Sequence, residues 1–112
     1  MRIALISDIH GNAIALDTVL RRIEAEEVDR IICMGDVTAV GPQPRECLDR
    51  VAALGCPLIM GNHDRWLLTG DDGLLVPKSS QDDAELFRVV KDIDSWCREQ
   101  LSPGDLDFIS TF

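Results

Sequence analysis

The sequence predicts an α/β fold built on a short parallel sheet, and three observations carry that prediction. Apolar runs without alternation occur at Ile3-Ala4-Leu5-Ile6, at Arg30-Ile31-Ile32-Cys33-Met34 and at Pro57-Leu58-Ile59-Met60. Such runs read as strands buried on both faces, as in a parallel sheet. Between them lie segments whose apolar residues recur three and four apart, the spacing of one helical face. Each run also ends in a polar turn rich in Gly, Asp, Asn or His. Strand, helix and strand within about thirty residues make a βαβ unit, and the third run extends the order to βαβαβ.

The elements follow in chain order. After the first run, Asn12 is placed to cap a helix whose apolar positions are Ala15, Leu16, Val19, Leu20 and Ile23. Glu24, Glu26, Glu27 and Asp29 end that helix in solvent before the second run. Gly41-Pro42-Gln43-Pro44 breaks the chain, and Pro44 suits the first turn of a second helix over residues 45–54. Cys47, Leu48, Val51 and Ala52 form its expected buried stripe, and Gly55 its stop. A brief helical turn through Arg65-Trp66-Leu67-Leu68 follows the third run. Residues 70–80 have loop composition, with Gly70, Gly73, Pro77, Ser79 and Ser80. Ser80 and Asp83 resemble a capping box for a helix over residues 82–101. Its apolar side is Leu86, Val89, Val90, Ile93, Trp96 or Cys97, and Leu101. Ser102-Pro103-Gly104-Asp105 signals one more helix start. Three strands leave a small sheet with open edges. The expectation is a single partial domain over residues 1–112, completed by further sequence or by a second copy covering the open sheet.

Composition bounds the function. The net charge of −9 disfavours a long phosphate backbone, so binding to nucleic-acid polymers is not expected. Small phosphorylated substrates remain compatible, because bound divalent cations invert the local field. The four cysteines form no C-x-x-C pair and read as small buried hydrophobes in a reduced, cytoplasmic protein. No apolar stretch approaches the roughly 20 residues that span a membrane, and no signal peptide is visible.

The chemistry sits in the polar turns. In open α/β sheets ligands bind outside the carboxyl ends of the strands, where all three turns fall. Asp8-Ile9-His10 ends the first run, Gly35-Asp36 the second and Gly61-Asn62-His63-Asp64 the third. Carboxylate, imidazole and amide oxygen suit Mn²⁺, Fe²⁺ or Zn²⁺. In an extended segment, Asp8 and His10 would point the same way and grip one ion. Asp36 has two oxygens with which to bridge to a second ion, and Asn62 offers that ion a neutral oxygen. Two such ions form the usual clamp for attack on phosphorus. Asp64 either orients a neighbour or caps the next turn. Asp71-Asp72 and Asp82-Asp83 read as solvated charge, and Trp66 and Trp96 as packing residues.

The three motifs in this order resemble the calcineurin-like metallophosphoesterase superfamily, whose pattern is D-x-H, G-D and G-N-H-D/E. The match covers residues 1 to about 65, the N-terminal half of that family's αββα sandwich. The resemblance implies that Asp8 and His10 hold one metal, Asp36 bridges, Asn62 holds the second and His63 is catalytic. It implies two divalent ions, manganese favoured, and hydrolysis of a phosphomonoester or phosphodiester on a small substrate. Where the protein-phosphatase branch carries an acid and an arginine after Gly-Asp, this chain has Ala39 and Val40, which points to the small bacterial phosphoesterases. The family adds histidines from its second half, including a G-H-x-H turn, whereas this sequence has His10 and His63 alone. The alternative is therefore a catalytically incomplete homolog or fragment: a weak metal-binding, oligomerisation or regulatory module. A nucleotide-binding module is disfavoured, because no G-x-G-x-x-G or P-loop is present.

Overall fold

A computed structural model describes residues 1–70 and 81–112. Strand β1 (Ile3–Ile6) leads into helix α1 (Ala13–Ala25), and strand β2 (Arg30–Cys33) into α2 (Pro44–Leu54). Three more helices follow, α3 (Asn62–Thr69), α4 (Gln81–Glu99) and α5 (Pro103–Ser110). β1 and β2 pair in parallel, with Ile3 opposite Arg30 and Ile6 opposite Cys33. The βαβ unit is therefore as the sequence predicts.

The third run differs. It contributes one parallel bridge, Cys33 to Leu58, rather than a strand. Cys33 N donates to Pro57 O at 3.0 Å, and Ile59 N to Cys33 O at 2.9 Å. Pro57 has no N–H to give, and the chain then turns into α3 at Asn62, so the ladder ends after one residue.

The sheet is also not buried on both faces. Ala4, Ile6, Ile31 and Cys33 face the helices, and Ile6 and Cys33 are buried. Their alternates look outward, since successive strand side chains point to opposite faces. Leu5 is 62% exposed and Ile59 53% exposed. The uninterrupted apolar runs thus supply one packed face and one open apolar face.

The packed face meets a continuous core. Leu16 of α1, Cys47, Leu48 and Val51 of α2, Val37, Leu67, Cys97, Leu101 and Ile109 all belong to it. α1 packs on α2, and α3 packs on α4 and α5. Arg50 reaches from α2 to grip Asp17 of α1 through Nε at 2.5 Å and Nη2 at 2.9 Å. On α1, Ala15 and Val19 are exposed, and Ala13 takes the buried place instead. Ala52 is likewise exposed, outside the stripe of α2. On α4 the core takes Cys97, while Leu86, Val89 and Trp96 stay exposed. α3 is a full helix beginning at Asn62, longer than the predicted turn.

The caps agree with the sequence. Asn12 Oδ1 accepts from Ala15 N at 2.9 Å, and Gly55 closes α2 in the left-handed region. Ser102 and Asp105 form a reciprocal capping box on α5. The loop at residues 71–80 and the cap at Ser80 lie outside the described residues. All four thiols are free; Cys33, Cys47 and Cys97 are buried. Burial pushes the Cys47 thiol up to about 11, which suits a packing role over a reactive one. No helix among the described residues is long and apolar enough to cross a membrane.

Candidate metal centre

The site forms where the β ladder continues past the strands. Asp8 N donates to Gly35 O at 3.2 Å, His10 N to Asp36 O at 2.9 Å and Gly11 N to Val37 O at 2.9 Å. Two loops are thereby zipped side by side, and Asp8, His10 and Asp36 meet across them. One ligand atom from each of these three lies within 4.8 Å of the others. Asp8 is exposed, His10 intermediate and Asp36 buried, so the cluster opens on the Asp8 side.

The reason the three converge differs from the one the sequence suggests. Asp8 and His10 are not extended. Asp8 has φ 55°, His10 φ 46° and Asp36 φ 55°. Only five non-glycine residues among those described have positive φ, and these three are among them. Left-handed backbone at a non-glycine residue costs about 1–3 kcal/mol and persists only where surroundings over-determine it.

What over-determines it is visible. The Asp64 carboxylate is fully buried. Its Oδ2 accepts from Asp36 N at 2.7 Å and Gly61 N at 2.9 Å, and its Oδ1 from Val37 N at 3.0 Å. Bonds to a carboxylate contribute about 1.5–3 kcal/mol each, enough to offset the strain at Asp36. Asp64 therefore does both things that the sequence left open: it orients a neighbour and caps α3. Gly61 lies so close that a Cβ there would overlap Asp36 Oδ1, and His63 N donates to that same oxygen at 2.9 Å. The Gly-Asn-His-Asp turn is thus folded directly onto the Asp36 side chain.

The three clustered donors each have a defined partner. His10 Nδ1 lies 3.1 Å from Ala39 O. A carbonyl only accepts, so Nδ1 carries the proton of that bond. Nε2 is then the nitrogen free to bind a cation, and it sits 3.5 Å from Asp8 Oδ1. The Ser7 hydroxyl donates to Asp8 Oδ2 at 2.6 Å and holds that carboxyl below its ordinary range. Gly41 abuts His10 from behind, where a Cβ would collide with the His10 carbonyl oxygen.

Asn62 is the first residue of α3 and exposed, one position before the amide that reaches Asp36. The His63 ring lies between His10, with centroids 5.0 Å apart, and Trp66, at 4.5 Å. Its Nδ1 is buried without a hydrogen-bond partner among the described residues. The sequence could not reveal the Ala39 carbonyl or the Ser7 hydroxyl as site groups. Asp64 had a signal: an acid at the third position of a helix starting at residue 62.

A carboxylate, an imidazole anchored through its other nitrogen, and a second, buried carboxylate are a donor set that divalent metals take. The residues present fit such an ion. A cavity of about 930 Å³ lies elsewhere, at the start of β2 beside Arg21, Glu27, Arg30 and Cys56.

Comparison with known proteins agrees with this geometry. The family model described as calcineurin-like phosphoesterase matches residues 1–108. An uncharacterized protein of Methanocaldococcus jannaschii is 42% identical over 66 residues, 59% of this chain and 27% of that protein. A symmetrical bis(5'-nucleosyl)-tetraphosphatase of Erwinia tasmaniensis is 35% identical over 101 residues, 86% of this chain and 37% of that enzyme. The crystal structure of a metallophosphoesterase from Sphaerobacter thermophilus superposes with TM-score 0.72 and 30% identity. It covers 100% of this chain and 41% of its own. The chain thus spans well under half the length of these relatives.

Proposed function

The chain belongs to the calcineurin-like phosphoesterase family, and from that premise we propose that it serves the metal-dependent hydrolysis of a phosphoester. The observation that supports this reading is the Asp8–His10–Asp36 cluster, with ligand atoms within 4.8 Å and the His10 ring anchored on Ala39 O. Asp8 and His10 would hold the first divalent ion, with Asp36 shared and Asn62 holding the second. When bound, such ions lower the pKa of water and neutralise charge on the phosphoryl oxygens. His63 is the catalytic residue. Its Nδ1 is buried, which leaves Nε2 to give a proton to the leaving oxygen. Ser7 keeps Asp8 ionised and oriented.

The substrate class is a small phosphorylated molecule. Because several relatives are named symmetrical bis(5'-nucleosyl)-tetraphosphatase, dinucleoside polyphosphates are the first candidates. Manganese is the first metal to test, iron and zinc the next, and the cytoplasm the expected compartment. We take residues 1–112 as one partial domain.

A second reading is favoured by one observation. Among the described residues the candidate ligands for the second ion are Asp36 and Asn62, and the sequence has two histidines. On that reading the chain binds one metal weakly and acts as an oligomerisation or regulatory module, its open apolar sheet face covered by a second copy. The test is metal content by elemental analysis, with turnover of an aryl phosphate and its diester in Mn²⁺. Wild type should hold metal and turn over, and Asp36→Asn should lose both. The expected rate loss exceeds about 10³-fold, beyond the 10–100-fold typical of groups that only support a ligand. Unchanged metal content in Asp36→Asn would overturn the shared role of Asp36. Metal without turnover in wild type would favour the second reading.

A further inference from the structure

We propose that Asp64 is a positioning residue for the metal centre, which its carboxylate sets up through the backbone of Asp36. The role at the metal rests on the function proposed above, whereas the clamp itself does not. Three facts support it. Asp64 is fully buried, a place where a carboxylate is costly unless every oxygen is used. Its oxygens accept from three amides, those of Asp36, Val37 and Gly61, at 2.7–3.0 Å. And Asp36, the residue whose amide it holds most closely, is left-handed at φ 55°.

The consequence is mechanical. Asp36 N and Gly61 N converge on one oxygen, so the Gly-Asp turn and the Gly-Asn-His-Asp turn cannot move apart without breaking a bond. Asp36 Oδ1 is in turn fixed by His63 N. The carboxylate of Asp64 does not join the metal-ligating cluster. It fixes the φ of the residue whose side chain does, and it keeps Asn62 and His63 at that residue's shoulder. A cap on α3 alone would need only the Gly61 bond. The bonds to Asp36 and Val37 lie 28 and 27 residues away in sequence and contribute nothing to that helix end.

The test uses the full chain. Asp64→Asn keeps the size of the side chain but replaces one acceptor with a donor. The amide should keep its oxygen on the two converging N–H groups and turn its NH₂ against Val37 N. Asp64→Ala removes all three acceptors. Titration with Mn²⁺ should show Kd raised about tenfold in Asp64→Asn and about 100-fold in Asp64→Ala, the range for groups supporting a metal ligand. In turnover of an aryl phosphate, kcat should fall with them while KM moves less than twofold. A lower melting temperature with Mn²⁺ Kd unchanged in the folded protein would show a merely structural role and overturn the proposal.

Amide hydrogen exchange in metal-free wild type needs no variant to fold. Asp36, Val37 and Gly61 should exchange as slowly as Ile6 or Cys33. If they exchange freely, the clamp does not exist. In Asp64→Asn, exchange should quicken by tenfold or more at these amides and leave Leu16 and Val51 unchanged. A uniform rise across the chain would also overturn the proposal. Should wild type bind no Mn²⁺, the metal reading fails separately, and the clamp is judged by exchange alone.

Discussion

At the carboxyl ends of the strands the backbone is strained and held by a buried carboxylate, whereas at the start of β2 it borders a cavity of about 930 Å³. The first region borders a smaller cavity, about 340 Å³ beside Ser7, Asp8 and Asn12, and carries much fixed chemistry. Asp36 is buried, His10 is held by a backbone carbonyl and Asp8 by a hydroxyl. The second region offers space lined by exposed charges of both signs, among them Arg21, Glu24, Glu27 and Arg30. The difference teaches that volume is a poor guide here. Strain that is offset by specific donors, close to groups able to bind a cation, is what supports placing the proposed site at the first end.

The sharpest way to break this comparison is His10→Ala. It removes a donor, and with it the 3.1 Å tie to Ala39. Metal affinity should fall more than about 100-fold, above the range for groups that merely support a ligand. Mn²⁺ titration followed by calorimetry checks this. Arg21→Ala at the other end should leave Kd within a factor of about two, since exposed substitutions away from special features change little. If the two variants behaved alike, the functional end would be misplaced.

Gly61→Ala should have the next largest effect. The new methyl would meet Asp36 Oδ1 and the Asp36 amide. Either the turn retreats or Asp36 leaves its left-handed conformation. The cost should be about 1–3 kcal/mol, the usual range for overpacking, with Mn²⁺ affinity lost in parallel. Chemical denaturation with and without Mn²⁺ separates the two. A fully stable variant with normal metal affinity would mean that the close approach at residue 61 is not needed.

These residues also show how much the sequence made legible. The parallel pairing of β1 and β2, the caps at Asn12 and Ser102, and the nearness of Asp8, His10 and Asp36 were all readable from pattern and motif. The reason for the convergence was not. An extended Asp8-Ile9-His10 segment was the natural expectation, because residue identity signals positive φ only weakly outside glycine: Asp and His are enriched there, yet most of them adopt negative φ. The Ala39 carbonyl was invisible for a related reason: every residue has one, so the sequence cannot show which is used. The open sheet face escaped because a strand buried on both sides and one that leaves an apolar face uncovered have the same composition. The third run failed as a strand through the absent N–H of Pro57 and the early start of α3.

The smallest expected effect belongs to Asp17, which borders the large cavity yet is tied to α2 by Arg50. The bond from Arg50 holds the Asp17 carboxyl below its ordinary value of 3.8. A depressed folded-state pKa means that the unfolded chain takes up the proton first as pH falls. The stabilisation is therefore fully present above 3.8 and is lost as pH drops through the lower, folded value. Asp17→Asn should melt slightly below wild type at pH 7, with the gap closing as the medium is made more acid than pH 3.8. Mn²⁺ affinity and turnover at pH 7 should match wild type, because Asp17 joins α1 to α2 and touches neither loop that carries the ligands. A gap in melting temperature that persists unchanged in acid would mean that Arg50 does not stabilise the charge on Asp17. A loss of Mn²⁺ affinity would mean that the two ends of the sheet are coupled through α1, whose first residues follow directly on His10-Gly11-Asn12.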